Sequence, residues 1–267
     1  MKTGAIIPIR LASERLPGKA LKPILGRPVV HHLLDRVTAS RWVKSKKDAV
    51  VCTTQDSSDD ALAAAVEAYG ASVFRGSRDD IIERFNAAIR HHGFDAVLQI
   101  DGDDPLTDTR TMDRTMDALQ ADPTLDIVYT SGTPFGIAAK AFTRTAMDHV
   151  YKHYKTTAND TGFMYFFMKT GLCKVGTIGP ETPAETHKTA RITLDYPEDL
   201  EFFTRVIEAL HKPGRVFTLG EMIAYLNAHP EVVAVNSGMK EKYEARTAEK
   251  LDLQYVDAAG AVRQIVA

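Results

Sequence analysis

The first 130 residues alternate between short β-branched runs and longer segments with helical periodicity. Repeated strand–helix–strand units build a parallel sheet through right-handed crossovers. The strand segments are apolar nearly throughout, which is typical of a sheet that carries helices on both faces. We therefore predict an α/β fold with a doubly wound, mostly parallel, Rossmann-like sheet. Strands are predicted at 4–9, 48–54, 71–74, 95–101 and 125–130, and the helices between them at 27–40, 59–70, 79–93 and 109–122.

Length and composition exclude several classes of protein. A chain of 267 residues with a formal charge of -2 and interspersed acids and bases gives no sign of a nucleic-acid-binding surface. No apolar run is long enough to span a bilayer, and the N-terminus lacks the apolar region of a signal peptide. Only two cysteines occur, and Cys52 lies in a predicted buried strand. We therefore expect a cytoplasmic protein that binds neither nucleic acid nor a membrane.

Three cations follow the first predicted strand: Arg10, Arg15 and Lys19. Ligands of doubly wound sheets bind at the carboxyl ends of the strands, so these side chains lie at the binding edge. The loop contains neither a G-x-G-x-x-G nor a G-x-x-x-x-G-K-[ST] motif. With Gly18 as its one glycine, it cannot wrap phosphates mainly with backbone amides, whereas arginine forks and a lysine suit phosphate oxygens. The loop therefore predicts a polyphosphate site, with a solvated basic loop as the alternative.

Two acidic segments are predicted to reach the same edge of the sheet. In the first, a buried strand is followed by a Gly–Pro turn that presents Asp103. In the second, "ARITLDYPEDLEFF", we predict a strand with Arg191, Thr193 and Asp195 on its polar face, and then a helix that begins at Pro197. A few hard oxygen ligands beside a phosphate site are what Mg²⁺ takes while it keeps several waters. We predict that Asp103 and Asp195 bind Mg²⁺, with a strand-end hydrogen bond as the alternative.

Four segments occur in this order along the chain: "IPIRLASERLPGKALKPILGRPVV", "VFRGSRDDIIERF", "QIDGDDPLTD" and "RITLDYPEDLEFF". Together they resemble the cytidylyltransferases that form CMP-linked sugar acids, the enzymes that activate Kdo and sialic-acid-like sugars. The likeness is closest to the cytidylyltransferase-type proteins of spore-coat polysaccharide synthesis, and it runs from about Ile6 to Phe203. It implies a sheet of the nucleotide-diphospho-sugar transferase type in a single nucleotidyltransferase domain over 1–267. Its parts would be a nucleotide-binding half at 1–130, an acceptor-binding half with the second metal aspartate at 131–215, and a C-terminal helix and tail at 216–267.

The resemblance also implies roles for individual residues. Arg10, Arg15 and Lys19 would be the catalytic cations and would hold the triphosphate of CTP, while Asp103 and Asp195 would bind Mg²⁺. An acceptor oxygen would attack the α-phosphorus of CTP in line, and pyrophosphate would leave. The residues expected near the nucleotide are Ala12, Ser13, Thr53, Arg75, Ser77, Asp80 and Gly102.

The acceptor site is harder to predict, because the signatures of the Kdo and sialic-acid enzymes are not intact in 130–171. Lys140 and Arg144, in a segment interpreted as helical, are candidates to bind an acceptor carboxylate or phosphonate, with solvated surface cations as the alternative. The resemblance places Arg191 near a substrate anion or phosphate. His149 and His153 have the spacing of zinc ligands, but without an accompanying Glu or third ligand we interpret them as a surface pair.

The favoured function is therefore a Mg²⁺-dependent transfer of CMP from CTP to a Kdo- or nonulosonate-like sugar acid. Transfer to a phosphonate or another small phosphorylated acceptor is the enzymatic alternative. A non-catalytic nucleotide-binding protein is the third, and the intact set of predicted cations and aspartates argues against it. The charged and then apolar tail at 242–267 is a candidate dimer arm, and we expect a homodimer.

Overall fold

A seven-stranded sheet forms the centre of the protein in the computed structural model, which describes residues 1–265 apart from the side chains at 248–250. The strands are β1 Thr3–Pro8, β2 Pro23–Ile24, β3 Arg27–Pro28, β4 Ala49–Thr54, β5 Ser72–Gly76, β6 Ala96–Gln99, β7 Ile127–Thr130, β8 Lys140–Thr143, β9 Val175–Ile178, β10 Gln254–Val256 and β11 Val262–Gln264. The main sheet has the order β5-β4-β1-β6-β8-β7-β9, while β2–β3 and β10–β11 form two small hairpins.

The sheet is mostly parallel, as predicted. β1 pairs in parallel with β4 and β6, β4 with β5, and β7 with β9. All five strands predicted from the sequence occur, as β1, β4, β5, β6 and β7. β8 was not predicted, and it runs antiparallel to both β6 and β7.

Ten helices surround the sheet within the described residues. They are α1 Val29–Thr38, α2 Asp60–Tyr69, α3 Ile81–His92, α4 Thr109–Ala121, α5 Arg144–His153, α6 Tyr165–Met168, α7 Pro197–Leu210, α8 Leu219–Ala228, α9 Pro230–Ala234 and α10 Met239–Lys250. The predicted helix at 59–70 ends as expected, because Gly70 takes a left-handed φ of 98° that favours glycine. Within the described residues no helix is both long and apolar enough to cross a membrane.

Apolar side chains fill both faces of the sheet, which confirms the predicted layers. One cluster joins one face to α1, α2 and α4, through side chains such as Leu33 and Met112. A second joins the other face to α3, α5 and α6, through Phe85 and Phe167. A third cluster, which includes Phe203, lies among α7, α8 and α9 and supports the segment at 190–194.

The segment at 191–195 is not a strand, and this prediction was wrong. It is extended, with a single isolated bridge between Phe135 and Arg191. The N–H of Ile192 donates to the carbonyl of Phe135 (2.7 Å), and the N–H of Leu194 donates to that of Asp103 (2.7 Å). The predicted alternation of polar and apolar side chains is present, but the backbone bonds join two loops rather than a sheet edge.

The C-terminal tail returns to the body of its own chain. Tyr255 in β10 forms an isolated bridge with Tyr154, which follows α5. Leu253 and Ile265 are buried in the cluster that contains α5 and α6. The homodimer stays a prediction.

Candidate active site

Asp59 anchors the basic loop that follows β1. Its buried carboxylate accepts hydrogen bonds from the N–H of Leu11 (2.7 Å) and from the hydroxyls of Thr53 (2.8 Å) and Thr54 (2.5 Å). The N–H of Gly18 then donates to the carbonyl of Leu11 (3.2 Å) and closes the loop on itself. The loop is therefore fixed at the carboxyl edge of the sheet, as predicted. Thr53 stabilises the loop indirectly, because its hydroxyl donates to the same carboxylate that binds the loop.

The turn after β6 lies tightly against β1. A Cβ at Gly102 would lie 2.3 Å from Cγ1 of Ile9, so only glycine fits there without displacing its neighbours. Asp101 accepts hydrogen bonds from Nζ of Lys140 (2.5 Å) and from Nε2 of Gln99 (2.8 Å). Lys140 lies on β8, and the interpretation that it is helical was wrong, because this residue pairs with Gln99 across the sheet.

Asp195 is the centre of a cluster of cations. Its Oδ1 accepts from Nη2 of Arg15 (2.5 Å) and Nζ of Lys19 (3.0 Å), and its Oδ2 accepts from Nη2 of Arg191 (2.8 Å). Nζ of Lys19 also lies 3.4 Å from Oδ2 of Asp103. The loop cations and the two predicted metal aspartates thus meet, and one ammonium lies between the two carboxylates.

Asp199 fixes this arrangement from behind. Its Oδ2 accepts the backbone N–H groups of Asp195 and Tyr196, both at 2.9 Å. Its Oδ1 accepts Nδ2 of Asn236 (2.8 Å) and Nε of Arg191 (3.3 Å). Asp199 therefore caps α7 and also orients the groups that hold Asp195.

The charges of the cluster shift its pKa values in opposite directions. Burial raises the pKa of Asp195, but the positive charges of Lys19 and Arg15 outweigh it and hold that pKa below its usual value. Burial raises the pKa of Asp103, and the negative charges of Asp195 and Asp101 raise it further. The positive charge of Lys19 lowers it but does not outweigh them, so this pKa lies above its usual value. Burial opposes the charge of Lys19, but the two carboxylates outweigh it and raise the pKa of Lys19. Lys19 is therefore a permanent ammonium at neutral pH.

Two further arginines, Arg10 and Arg84, belong to the same site. Nη2 of Arg10 donates to Asp160 (2.5 Å), and its Nη1 lies 3.6 Å from Asp79. Arg84 was not predicted; it is buried and donates to backbone carbonyls, including that of Cys52 (3.2 Å). Within the described part of the chain Arg84 forms no ion pair, and its other two nitrogens donate to the carbonyls of Ser77 (2.8 Å) and Arg78 (2.9 Å).

These groups line a cavity of about 560 Å³, within the usual range for small-molecule sites. Helix α10 closes one side of it with Tyr243, Arg246 and Thr247, none of which was predicted. The ring centroid of Tyr243 lies 5.7 Å from Cζ of Arg15 and 4.9 Å from Cζ of Arg191. The predicted residues that line the cavity are Arg10, Ala12, Ser13, Arg15, Lys19, Gly102, Asp103, Lys140 and Asp195.

The other predicted residues lie outside this cavity and make structural contacts. Arg75 donates to the carbonyl of Asp56 (2.7 Å), and Asp80 caps α3. Arg144 lies at the opposite edge of the sheet and donates to Asp95 (2.5 Å). The residues in this group are Thr53, Arg75, Ser77, Asp80, Arg144 and Arg191.

No group of three or more His, Cys, Asp or Glu side chains is arranged to hold a metal in the part of the chain that the structure describes. His149 and His153 are ring neighbours on α5, with centroids 4.7 Å apart. Asp103 and Asp195 offer oxygen donors on either side of Lys19. Mg²⁺ takes one or two carboxylates when substrate phosphates supply further ligands, so this pair fits that ion.

A cavity at the carboxyl edge of a Rossmann-like sheet, with a basic loop opposite carboxylates, is the site of a nucleotidyltransferase. The chain belongs to the cytidylyltransferase family, whose family model matches residues 4–223. It is a nucleotidyltransferase that uses CTP. The predicted family is confirmed.

Relatives of known name support the assignment. The spore coat polysaccharide biosynthesis protein SpsF of Bacillus subtilis is 27% identical over 237 residues, which cover 85% of this chain and 94% of that protein. The 3-deoxy-manno-octulosonate cytidylyltransferase of Geobacter sulfurreducens is 35% identical over 125 residues, which cover 46% of this chain and 47% of that enzyme. A solved cytidylyltransferase from Leptospira borgpetersenii superposes with a TM-score of 0.78 at 24% identity, covering 87% of this chain and 97% of that one, and confirms the fold.

Proposed function

We propose that the protein transfers CMP from CTP to a Kdo- or nonulosonate-like sugar acid and releases pyrophosphate, with Mg²⁺ as its cofactor. The observation that carries this proposal is the meeting of Arg15 and Lys19 with Asp103 and Asp195 in one cavity. The names of the Bacillus and Geobacter relatives support a sugar or a sugar acid as the acceptor class.

The cations act on the phosphates by charge and position. Phosphoryl transfer leaves the protein little covalent chemistry, so orientation and charge neutralisation dominate. Lys19 and Arg15 stabilise the negative charge that grows on the departing pyrophosphate. Arg10, on the wall beside Asp160, binds the triphosphate in the ground state.

Asp103 and Asp195 would hold Mg²⁺ together with phosphate oxygens. The donor set fits, because it consists of oxygens alone and Asp103 faces the cavity beside Lys19. When bound, the ion would supply charge neutralisation on the phosphate and a lower pKa for the attacking hydroxyl. Asp199 and Arg191 keep Asp195 oriented and make no contact with the cavity themselves.

Helix α10 faces the acceptor in this proposal. It lies beyond residue 223, where the match to the family ends, and it lines the cavity with Tyr243, Arg246 and Thr247. A cavity wall outside the shared region is suited to distinguish acceptors. Lys140 supplies a cation for an acceptor carboxylate, although Asp101 already pairs with it.

A pyrophosphate-release assay with CTP tests the function. The acceptor panel contains Kdo, N-acetylneuraminic acid, 2-aminoethylphosphonate and a reaction without acceptor. We expect pyrophosphate release only in the reactions that contain CTP and a sugar acid. Release with the phosphonate instead would favour the alternative acceptor class, and no release with any acceptor, despite thermal stabilisation by CTP, would favour a nucleotide-binding protein without turnover.

Titration of activity with Mg²⁺ tests the metal site. Asp103→Asn should lower turnover by about a hundred- to a thousand-fold, the cost of removing one electrostatic contact to the transition state. Asp160→Asn is the matched control, because it changes a cavity carboxylate that pairs with Arg10 instead of Lys19. Activity of Asp103→Asn close to that of wild type at saturating Mg²⁺ would remove Asp103 from the metal site.

A further inference from the structure

A second cavity, of about 430 Å³, opens between α1, the end of α7 and the segment before α8. It shares no lining residue with the catalytic cavity. Cationic side chains dominate its polar lining, with Asp35 as the one carboxylate among the lining residues. The four lining cations are Arg27, Arg36, Lys212 and Arg215.

Arg36 is the unusual member of this lining, because it is 4% exposed and yet forms no ion pair in the described residues. Its Nη1 donates to the carbonyls of Phe217 (3.0 Å) and Thr107 (3.4 Å), and its Cζ lies 4.1 Å from the ring centroid of Phe217. Its Nε and Nη2 donate to no group in the described residues, and no carboxylate there forms an ion pair with it. Burial lowers the pKa of Arg36 to about 10 against the charges of Asp108 and Asp35, so the cost of burying this charge is only partly offset.

The other cations of the cavity are only partly neutralised. Arg27 pairs with Asp35 (2.7 Å), and Arg215 pairs with Glu221 (2.8 Å) outside the lining. Lys212 has no ion-pair partner in the described residues. Arg36 and Lys212 therefore form no ion pair, and the lining carries four cations against one carboxylate.

We propose that this second cavity binds a small phosphate-bearing molecule, at a site separate from that of CTP. The planar fork of Arg36 offers free N–H donors, and Lys212 offers a point charge, which together suit phosphate oxygens. The volume is sufficient for a small metabolite. Helix α7 joins the two sites, since Asp199 lies in its first turn and His211, which lines the second cavity, follows its last residue.

The side-chain Nε–Hε resonance of Arg36 reports on this site alone. In ¹⁵N-labelled full-length protein, Arg36→Lys identifies the resonance by its loss, and inorganic phosphate is then titrated into the wild type at constant ionic strength. We expect the resonance to shift with phosphate and not with sodium chloride. No shift at millimolar phosphate, or an equal shift with chloride, would overturn the proposal.

Lys212→Ala tests the same site without touching a buried residue. It should weaken phosphate affinity, read at the Arg36 resonance, by about two- to fivefold, as expected for an exposed charge. Lys44→Ala, which changes an exposed lysine outside both cavities, should leave the affinity unchanged. Equal affinities in all three proteins would overturn the role of Lys212. CTP and acceptor are absent from this experiment, so its outcome is independent of the proposed acceptor class.

Discussion

Asp199→Asn is the substitution that most directly tests how the site is built. The change preserves the shape of the side chain and removes a carboxylate that accepts four hydrogen bonds. An amide keeps one oxygen for one pair of donors and turns an NH₂ group toward the other pair. Either the N–H groups of Asp195 and Tyr196, or the donors on Asn236 and Arg191, then lose their acceptor.

The expected cost follows from the burial of these groups. A buried donor without a partner costs about 1–3 kcal/mol, and two donors are affected. Arg191, which is buried, also keeps only one of its two carboxylates, Asp195. We therefore expect the free energy of unfolding to fall by roughly 3 kcal/mol, and Tm to fall by roughly 5–10 °C for a chain of this size. Turnover should fall as well, because Asp195 loses either its backbone anchor or the orientation of its partner Arg191.

Urea unfolding followed by circular dichroism measures the change, with equal m values as the test of two-state behaviour. Glu198→Gln is the matched control, since it neutralises the preceding acid in the same helical turn and is expected to cost within about 0.5 kcal/mol. If the two variants are equally stable within about 0.5 kcal/mol, Asp199 is an ordinary helix cap and the reasoning is wrong.

Three further predictions test the cations, α10 and a buried histidine. Lys19→Ala should mainly lower kcat, by about a hundred- to a thousand-fold, whereas Arg10→Ala should raise the KM for CTP. Steady-state kinetics distinguish these effects, and a kcat of Lys19→Ala equal to that of wild type would contradict the first prediction. Tyr243→Leu should raise the KM for the acceptor more than that for CTP, and equal changes in both would remove α10 from acceptor recognition. Burial lowers the pKa of His32, so the unfolded chain binds a proton that the folded protein does not. Wild type should therefore lose stability relative to His32→Gln as pH falls through about 6.5. If urea unfolding shows the same change in the free energy of unfolding with pH for both proteins, the prediction is wrong.

The nucleotide-binding half could be predicted because its signals are local. Each strand there is a short apolar run, and the basic loop directly follows the first of them. Parallel topology then places Arg10, Arg15 and Lys19 at the binding edge without knowledge of any distant contact. The segment at 191–195 has the same alternation as a strand, but its backbone partners are Phe135 and Asp103, and no local pattern identifies those loops.

The remaining site residues depend on packing across long sequence separations. Arg84 has the ordinary periodicity of α3, and its orientation depends on the carbonyls of Cys52 in β4 and of Ser77 and Arg78 in the preceding loop. Tyr243 lies on a charged helix beyond the residues that resemble the family, and its contact with Arg15 joins positions far apart in the chain. Lys140 was misassigned because a four-residue strand that runs directly into a helix has too little pattern of its own.

The pairing of the loop cations explains why their roles in the reaction should differ. Each loop cation contacts a carboxylate of the protein. A bound polyphosphate must therefore replace these carboxylates as the partner of each cation. Arg10 and Asp160 are about one-third exposed, at 32% and 37%, and such pairs contribute only about 0–1 kcal/mol, so Arg10 turns to an incoming phosphate at little cost. Lys19 and Asp195 are 15% and 0% exposed, so their pair is screened less by solvent and costs more to separate than that of Arg10 and Asp160. Arg10 is therefore suited to ground-state binding of CTP, while the more buried Lys19 is suited to stabilise the negative charge that grows in the transition state.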